Sequence, residues 1–179
     1  MSEGLVEILS GGDLRSDGRA NEVADLVLAE MSLLGGLVEA LESRDDVVRA
    51  RAAHALEKVS RIEHGAVKPL LPFLISLGDN DHVPMVRWHI AMILGNLQYE
   101  EAELDAPIES LFRLLGDSST FVRNWAIVSL SNLAGEHEKY SGNILEKIRD
   151  LREDEAPSVR SRVAKAIKVL VKVAEGSDL

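Results

Sequence analysis

The stretch DSSTFVRNWAIVSLSNL, residues 117–133, decides the fold. If Val122 is taken as position zero, apolar residues return at offsets 4, 8 and 11, as Ala126, Leu130 and Leu133. This spacing places them in one stripe along an α-helix. The stretch therefore predicts a helix that buries one face.

The same pattern occurs four times along the chain. Its marker is a Val-Arg dipeptide that recurs at intervals of 38, 36 and 37 residues: Val48-Arg49, Val86-Arg87, Val122-Arg123 and Val159-Arg160. A second apolar helical stripe precedes each of these helices, as Ile108 and Leu111 do in the third copy. A recurring helix pair predicts stacked repeats, because one pair cannot bury its apolar face alone.

We therefore expect an all-α protein, an α-α superhelix (solenoid) of about five helix pairs. One repeat domain would cover residues 1–179. Its predicted segments are a degenerate N-terminal capping repeat at 1–33 and regular repeats at 34–61, 65–99, 105–135 and 140–174.

The repeats also share an acidic column. Asp81, Asp117 and Asp154 lie five residues before their valines, and Ser43 takes this place in the first copy. In these residues the chain resembles the HEAT and armadillo repeat families over about residues 34–174. The resemblance implies that the second helices line a concave side. It also implies that the Asp and Arg columns bond between neighbouring repeats, which makes the repeat arginines structural.

Composition narrows the chemistry. The chain has no cysteine, which excludes disulfides and thiolate catalysis and fits a cytoplasmic location. No apolar run approaches the roughly 18 residues of a membrane span, and the first residues lack a signal-peptide pattern.

Catalytic motifs are missing from the sequence. It has neither a phosphate-binding loop nor a dinucleotide fingerprint. The one His-Glu pair, His137-Glu138, is followed by Ser141 where a metalloprotease motif needs histidine. We expect no enzyme activity, no catalytic residue, no metal and no cofactor.

Two enzyme families resemble this fold. Deoxyhypusine hydroxylases carry repeated His-Glu pairs for iron, and this chain lacks that repetition. The HEAT-like alkylpurine DNA glycosylases use a basic concave face with tryptophans and an acidic residue. Trp88 and Trp125 fit the aromatic part, but the four second helices offer only Asp46 and Glu57 as acids.

Apolar side chains stand on the predicted outward face of the middle second helices, where a solvated helix would carry polar residues. The candidate partner-binding residues are Trp88, Met92, Asn96, Trp125, Val128 and Asn132. The two asparagines lie in Leu94-Gly95-Asn96-Leu97 and Leu130-Ser131-Asn132-Leu133. These segments resemble importin alpha-type armadillo repeats, in which such an asparagine grips an extended peptide. Met92 and Val128 stand where that family has tryptophan.

Charge is unevenly placed. The predicted second helices, 46–59, 84–97, 121–134 and 157–173, hold ten basic and two acidic residues, a net charge of +8 that leaves −18 for the rest of a chain whose net charge is −10. A less negative inner side favours an acidic partner. As anion-facing residues we expect Arg51, Lys58, Arg162 and Lys165.

Three functions fit these observations. The leading hypothesis is a non-enzymatic scaffold that binds a protein or peptide, preferably acidic, on the concave face. The alternative is a nucleic-acid-binding module, remotely glycosylase-like, that uses the basic residues of the second helices. The third is a subunit of a larger lyase or chaperone assembly. We expect no membrane partner, and either a monomer or a weak homodimer through the C-terminal helix, where Val169, Val171 and Val173 flank the core stripe.

Overall fold

The computed structural model describes residues 4–176, with side chains as far as Lys172. The regular structure within these residues is helical, and the α-helices are α1 (Leu5–Leu9), α2 (Ala20–Ala29), α3 (Leu34–Leu41), α4 (Asp46–Ser60), α5 (His64–Val67), α6 (Leu71–Asn80), α7 (Pro84–Asn96), α8 (Asp105–Leu114), α9 (Thr120–Glu136), α10 (Ser141–Arg149) and α11 (Pro157–Gly176). The all-α helical-repeat class is confirmed. Residues 1–3 of the predicted cap and the side chain of Val173 lie outside the described residues.

The helices form two compact units, Met1–Gln98 and Tyr99–Leu179. In the first unit α3 packs on α4 and α6 packs on α7, while α2, α4 and α7 pack in succession. In the second unit α8 packs on α9, α10 packs on α11, and α9 packs on α11. Each unit thus joins first helices to second helices and second helices to one another.

The predicted stripes form the cores of both units. The four repeat valines are buried, and so are the side chains four and eleven residues after each of them. Eight residues after the valine, Leu56, Leu94 and Leu130 are fully buried, whereas Ile167 in the last helix is half-buried. Each buried aliphatic side chain contributes about 1.5–3 kcal/mol to folding.

Helix α4 is buried almost all round. It packs against α1, α2, α3 and α7, and its alanines at positions 50, 52, 53 and 55 have no exposed surface. Small side chains allow four helices to approach one axis closely. The face of α4 that the repeat pattern predicts to be solvated is therefore covered.

Arginines tie successive repeats together. Arg49 Nε donates to Asp81 Oδ2 at 2.8 Å. Arg123 Nη2 donates to Asp154 Oδ1 at 3.0 Å, and its Nε lies 2.9 Å from Oδ2. The implied bonding of the Asp and Arg columns is confirmed for these two pairs.

The same aspartates begin the next helix. Asp81 Oδ1 accepts from the main-chain N–H of Val83 and Asp154 Oδ1 from that of Ala156, each at 2.8 Å. Burial raises the pKa of Asp154, but the hydrogen bonds from Arg123 and Ala156 outweigh it and hold the pKa below its ordinary value. The carboxylate therefore stays charged, and it needs its guanidinium partner.

We expect Arg123→Ala to lower the free energy of unfolding by about 2–4 kcal/mol, because it leaves the carboxylate of Asp154, whose side chain is only 11% exposed, without its cation. Arg160→Ala is the matched control. Arg160 is exposed and donates only to the main-chain carbonyls of Asp154 and Glu155. Urea unfolding followed by circular dichroism measures both, and equal losses would contradict the role of the buried pair.

Candidate functional site

In the first unit the predicted partner-binding residues lie on α7. Trp88 and Met92 are half-buried, and the Trp88 ring packs beside His89 with 5.6 Å between ring centroids. Asn96 Nδ2 donates to Glu57 Oε1 at 3.0 Å and to Ser60 Oγ at 3.1 Å. The amide nitrogen predicted to grip a peptide is thus used within the chain, and Asn96 is better read as a structural link between α7 and α4.

In the second unit a groove of about 210 Å³ runs between α9 and α11. Its lining residues are Ile127, Val128, Ser131, Asn132, Arg162, Lys165, Ala166 and Val169. The groove thus brings together two predicted partner contacts and two predicted anion-facing residues. The partner contacts are Val128 and Asn132, and the anion-facing residues are Arg162 and Lys165. Trp125 is half-buried on α9 and does not line the groove.

The groove combines apolar side chains with exposed basic ones. Val169 is 54% exposed, and Asn132, Arg162 and Lys165 are exposed beside it. Neither α9 over residues 120–135 nor α11 over residues 157–172 contains an Asp or Glu. Within these two ranges the charged residues are therefore all basic, and Arg162 and Lys165 give the groove lining its charge.

Arg51 is a correction to the sequence analysis. It is only 4% exposed, and its guanidinium donates to main-chain carbonyls of residues 9–16. The shortest of these bonds, both from Nη1, reach Gly11 O at 2.7 Å and Leu9 O at 2.8 Å. Arg51 thus holds the connection between α1 and α2, and it is not available to an external anion. Lys58, the fourth predicted anion-facing residue, is half-buried on α4.

The structure also locates most of the exposed second-helix charge. Arg49, Arg51 and Arg123 are buried and bonded within the chain. The exposed lysines and arginines of the second helices belong to α11: Arg160, Arg162, Lys165, Lys168 and Lys172. Of these, Arg162 and Lys165 line the groove. Sequence counting could not separate these two groups, because both occupy second helices at similar spacing.

Sequence reasoning also missed several residues of the groove. Ile127, Ser131 and Ala166 line it without having been predicted. Val169, which the sequence analysis assigned to self-association through the C-terminal helix, lines it as well. The usable signal is that a residue at offset 6 or 10 of one second helix faces a residue at offset 3 or 6 of the next. That pairing follows from helix packing and not from either helix alone.

These features define a helical-repeat protein with an open groove between second helices. The family model for HEAT repeats matches residues 34–130 and 71–168. The chain belongs to the HEAT repeat family.

Solved structures share the fold. A chain from the complex of CpcE and CpcF of phycocyanin lyase from Nostoc sp. PCC7120 is 21% identical with a TM-score of 0.74, over 90% of this chain and 95% of that one. A designed armadillo repeat protein in complex with peptide (KR)4 is 19% identical with a TM-score of 0.63, over 93% and 80% of the two chains. Cex1p is 16% identical with a TM-score of 0.70, over 97% of this chain and 36% of its own. No curated protein shows significant sequence similarity.

Two further findings concern ligands and membranes. Among the described residues, no three His, Asp or Glu side chains are grouped so that they could hold a metal ion. No helix in this part of the chain is both long enough and apolar enough to span a bilayer.

The loop held by Arg51 depends on glycine. Gly18 has a φ of +53°, and a Cβ there would lie 2.5 Å from Arg51 Cζ. We expect Gly18→Ala to destabilise the fold by more than the 1–2 kcal/mol of a left-handed backbone alone, and to expose the loop to trypsin at Arg15. Gly11→Ala is the control, because Gly11 also has a positive φ but has no atom near its added Cβ. Equal unfolding midpoints and equal cleavage rates would show that Arg51 does not organise the loop.

His89 makes stability depend on pH. Burial lowers the pKa of His89 to about 4 from its ordinary 6.5. Its Nδ1 donates to Met85 O at 2.8 Å, and the His54 ring lies 4.9 Å away between centroids. Unfolding lets this histidine take up a proton near pH 6.5, so we expect the free energy of unfolding to fall by about 3 kcal/mol as pH drops from 6.5 to 4.

Urea unfolding at several pH values measures this slope. His89→Gln removes the titrating group and should flatten the dependence in this window, while the other histidines remain in both proteins. The same slope in the variant and the parent would mean that His89 is already protonated in the folded chain.

Proposed function

We propose that this protein is a non-enzymatic scaffold that binds an acidic peptide or protein segment on its second helices. The observation that carries the proposal is the α9–α11 groove, where Val128 and Val169 lie beside the exposed cations Arg162 and Lys165. Apolar contact supplies affinity at such a surface, and charge selects and orients the partner.

Each part of the groove suits an extended segment. The apolar side chains of Val128 and Val169 offer contact to a side chain of the partner. Asn132 is exposed at the wall and can both donate to and accept from a main chain. Arg162 and Lys165 complement acidic side chains on the same segment. The designed armadillo protein was solved with the basic peptide (KR)4, whereas the charge of this groove favours the opposite sign.

The first unit offers a second contact surface. Trp88 and Met92 are half-buried on α7, one turn apart on the same helix face. We propose them as anchors for the partner. In the second unit, half-buried Trp125 of α9 is proposed separately as an aromatic contact. Tryptophan and methionine suit this role, since they bury large apolar areas in adaptable contacts. In this proposal the protein acts in the cytoplasm without a cofactor.

The nucleic-acid alternative has less support. Three of the ten basic residues counted on the second helices are buried and bonded within the chain. The two acids available for a glycosylase-like role are also engaged. Glu57 is buried and accepts from Arg61 Nε at 2.6 Å, and Asp46 lies 2.7 Å from Arg49 Nη2 and 3.0 Å from His82 Nε2.

The assembly hypothesis is compatible with a scaffold. The CpcE–CpcF complex is a phycocyanin lyase whose chain shares this fold. At 21% identity that likeness supports the fold and not the activity. A scaffold that binds one protein segment could equally act inside a larger complex, so we keep peptide binding as the property to test.

The test is a peptide selection against the full chain, with acidic, neutral and basic libraries and duplex DNA as probes. We expect acidic peptides with one or two apolar residues to be enriched. Val128→Asp should weaken the selected peptides at least about tenfold, or 1.4 kcal/mol, because it places an acid in the groove. Ile62→Asp is the control, since Ile62 is 60% exposed and lies outside the groove.

Two results would contradict the proposal. One is that selected peptides bind Val128→Asp as well as they bind the parent chain while both fold equally well by circular dichroism. The other is that duplex DNA binds more tightly than any peptide, with the steep loss of affinity in salt that phosphate contacts produce.

A further inference from the structure

The first unit contains a filled counterpart of the α9–α11 groove. Counting from each repeat valine, Arg51 of α4 and Arg162 of α11 both stand at offset 3, and His54 and Lys165 both stand at offset 6. Each of these helices packs on the second helix of the preceding repeat, α4 on α2 and α11 on α9. The two arginines thus occupy equivalent places in the repeat.

In the first unit this place is occupied by the connection between α1 and α2, residues 10–19. Arg51 donates from all three of its nitrogens to main-chain carbonyls at the end of α1 and in this connection, including Ser16 O at 3.2 Å and Asp13 O at 3.3 Å. Next to it, Asp17 Oδ1 lies 3.4 Å from His54 Nδ1. The pair at offsets 3 and 6 therefore holds a glycine-containing main chain and one carboxylate.

In the second unit the equivalent place is open. The connection between α8 and α9 is only residues 115–119, and it does not line the groove at Arg162. Arg162 and Lys165 are both exposed there. The repeat position that binds main chain in the first unit thus faces an unfilled groove in the second.

We propose that the end of the groove at Arg162 and Lys165 binds a glycine-containing acidic peptide segment. Arg162 donates to its main-chain carbonyls as Arg51 does, and Lys165 pairs with a carboxylate in the position of Asp17. This deepens the proposed function and rests on it. It assigns the binding of main-chain carbonyls to Arg162 and the binding of a carboxylate to Lys165.

Binding several main-chain carbonyls requires arginine at offset 3. A guanidinium has five N–H donors in a planar fork and can reach several carbonyls at once. An ammonium group is a compact charge without that fork. The residue at offset 6 has a different task, because a single cation is enough to select a carboxylate. Arg162→Lys therefore separates carbonyl binding from simple charge attraction.

Glycine in the segment has a physical reason. Gly12 and Gly18 have positive φ, and a Cβ on either would lie within 3.3 Å of the Arg51 guanidinium. A main chain that brings several carbonyls to one guanidinium must turn sharply and approach closely, and glycine permits both. We expect the same requirement at Arg162.

The probe is a labelled peptide with the sequence of residues 10–18, SGGDLRSDG, added to the full chain and followed by fluorescence anisotropy. We expect Arg162→Ala to weaken binding about tenfold or more, since it removes several hydrogen bonds from a charged donor. Arg162→Lys should lose nearly as much. Lys165→Gln should abolish the preference for this peptide over one with both aspartates changed to asparagine.

The variants should keep the parent unfolding midpoint, because Arg162 and Lys165 are exposed. Full binding by Arg162→Lys would overturn the proposal that Arg162 binds main-chain carbonyls, because charge attraction alone would then explain the binding. Unchanged binding by Arg162→Ala, or no binding of the peptide by the parent chain, would overturn the inference. Peptides selected from the library that respond to Val128→Asp would still support the proposed function in those cases, so the two failures are distinguishable.

Discussion

Buried guanidinium groups hold this protein together, and they are stabilised in two different ways. Arg49 and Arg123 lie against carboxylates of the following repeat, Asp81 and Asp154. Arg51 lies against main-chain carbonyls and has no carboxylate among its hydrogen-bond partners. A buried charge is costly without such partners. The helices around these arginines must therefore hold their relative positions, or the charges would be left without partners.

Each of these aspartates links the preceding repeat to the start of the next second helix. One oxygen of Asp81 or Asp154 accepts from an arginine of the preceding repeat, and a second bond to a main-chain N–H fixes the start of the next helix. A single side chain thus sets both the stacking of one repeat on another and the point at which the next second helix begins. This coupling explains why the Asp and Val-Arg columns keep an almost constant spacing along the sequence.

Cations that are not used in this way remain exposed on the second helices. On α4 the arginine at offset 3 is buried by its own loop, and on α11 the residue at the same offset is exposed beside a groove. The difference comes from the connection before the second helix, which is long between α1 and α2 and short between α8 and α9. Loop length therefore decides whether the arginine at this repeat position is buried or exposed.

Designed armadillo and natural repeat proteins share this fold. The fold itself sets the stack of helix pairs, and the outward positions of the second helices vary freely because they do not contribute to the stripe. In this chain those positions concentrate exposed positive charge on α11, while the overall charge is −10.

The sequence by itself determined the repeat, its period, the buried stripes and the Asp–Arg columns. These properties follow from spacing along single helices and from a pattern repeated four times, so local periodicity was sufficient. Only the tertiary structure decided that Arg51 is buried, that Asn96 is bonded to Glu57 and Ser60, and that Val128 meets Arg162. These outcomes depend on which helices and loops cover a face, and a helical wheel treats every outward position as equally open to water.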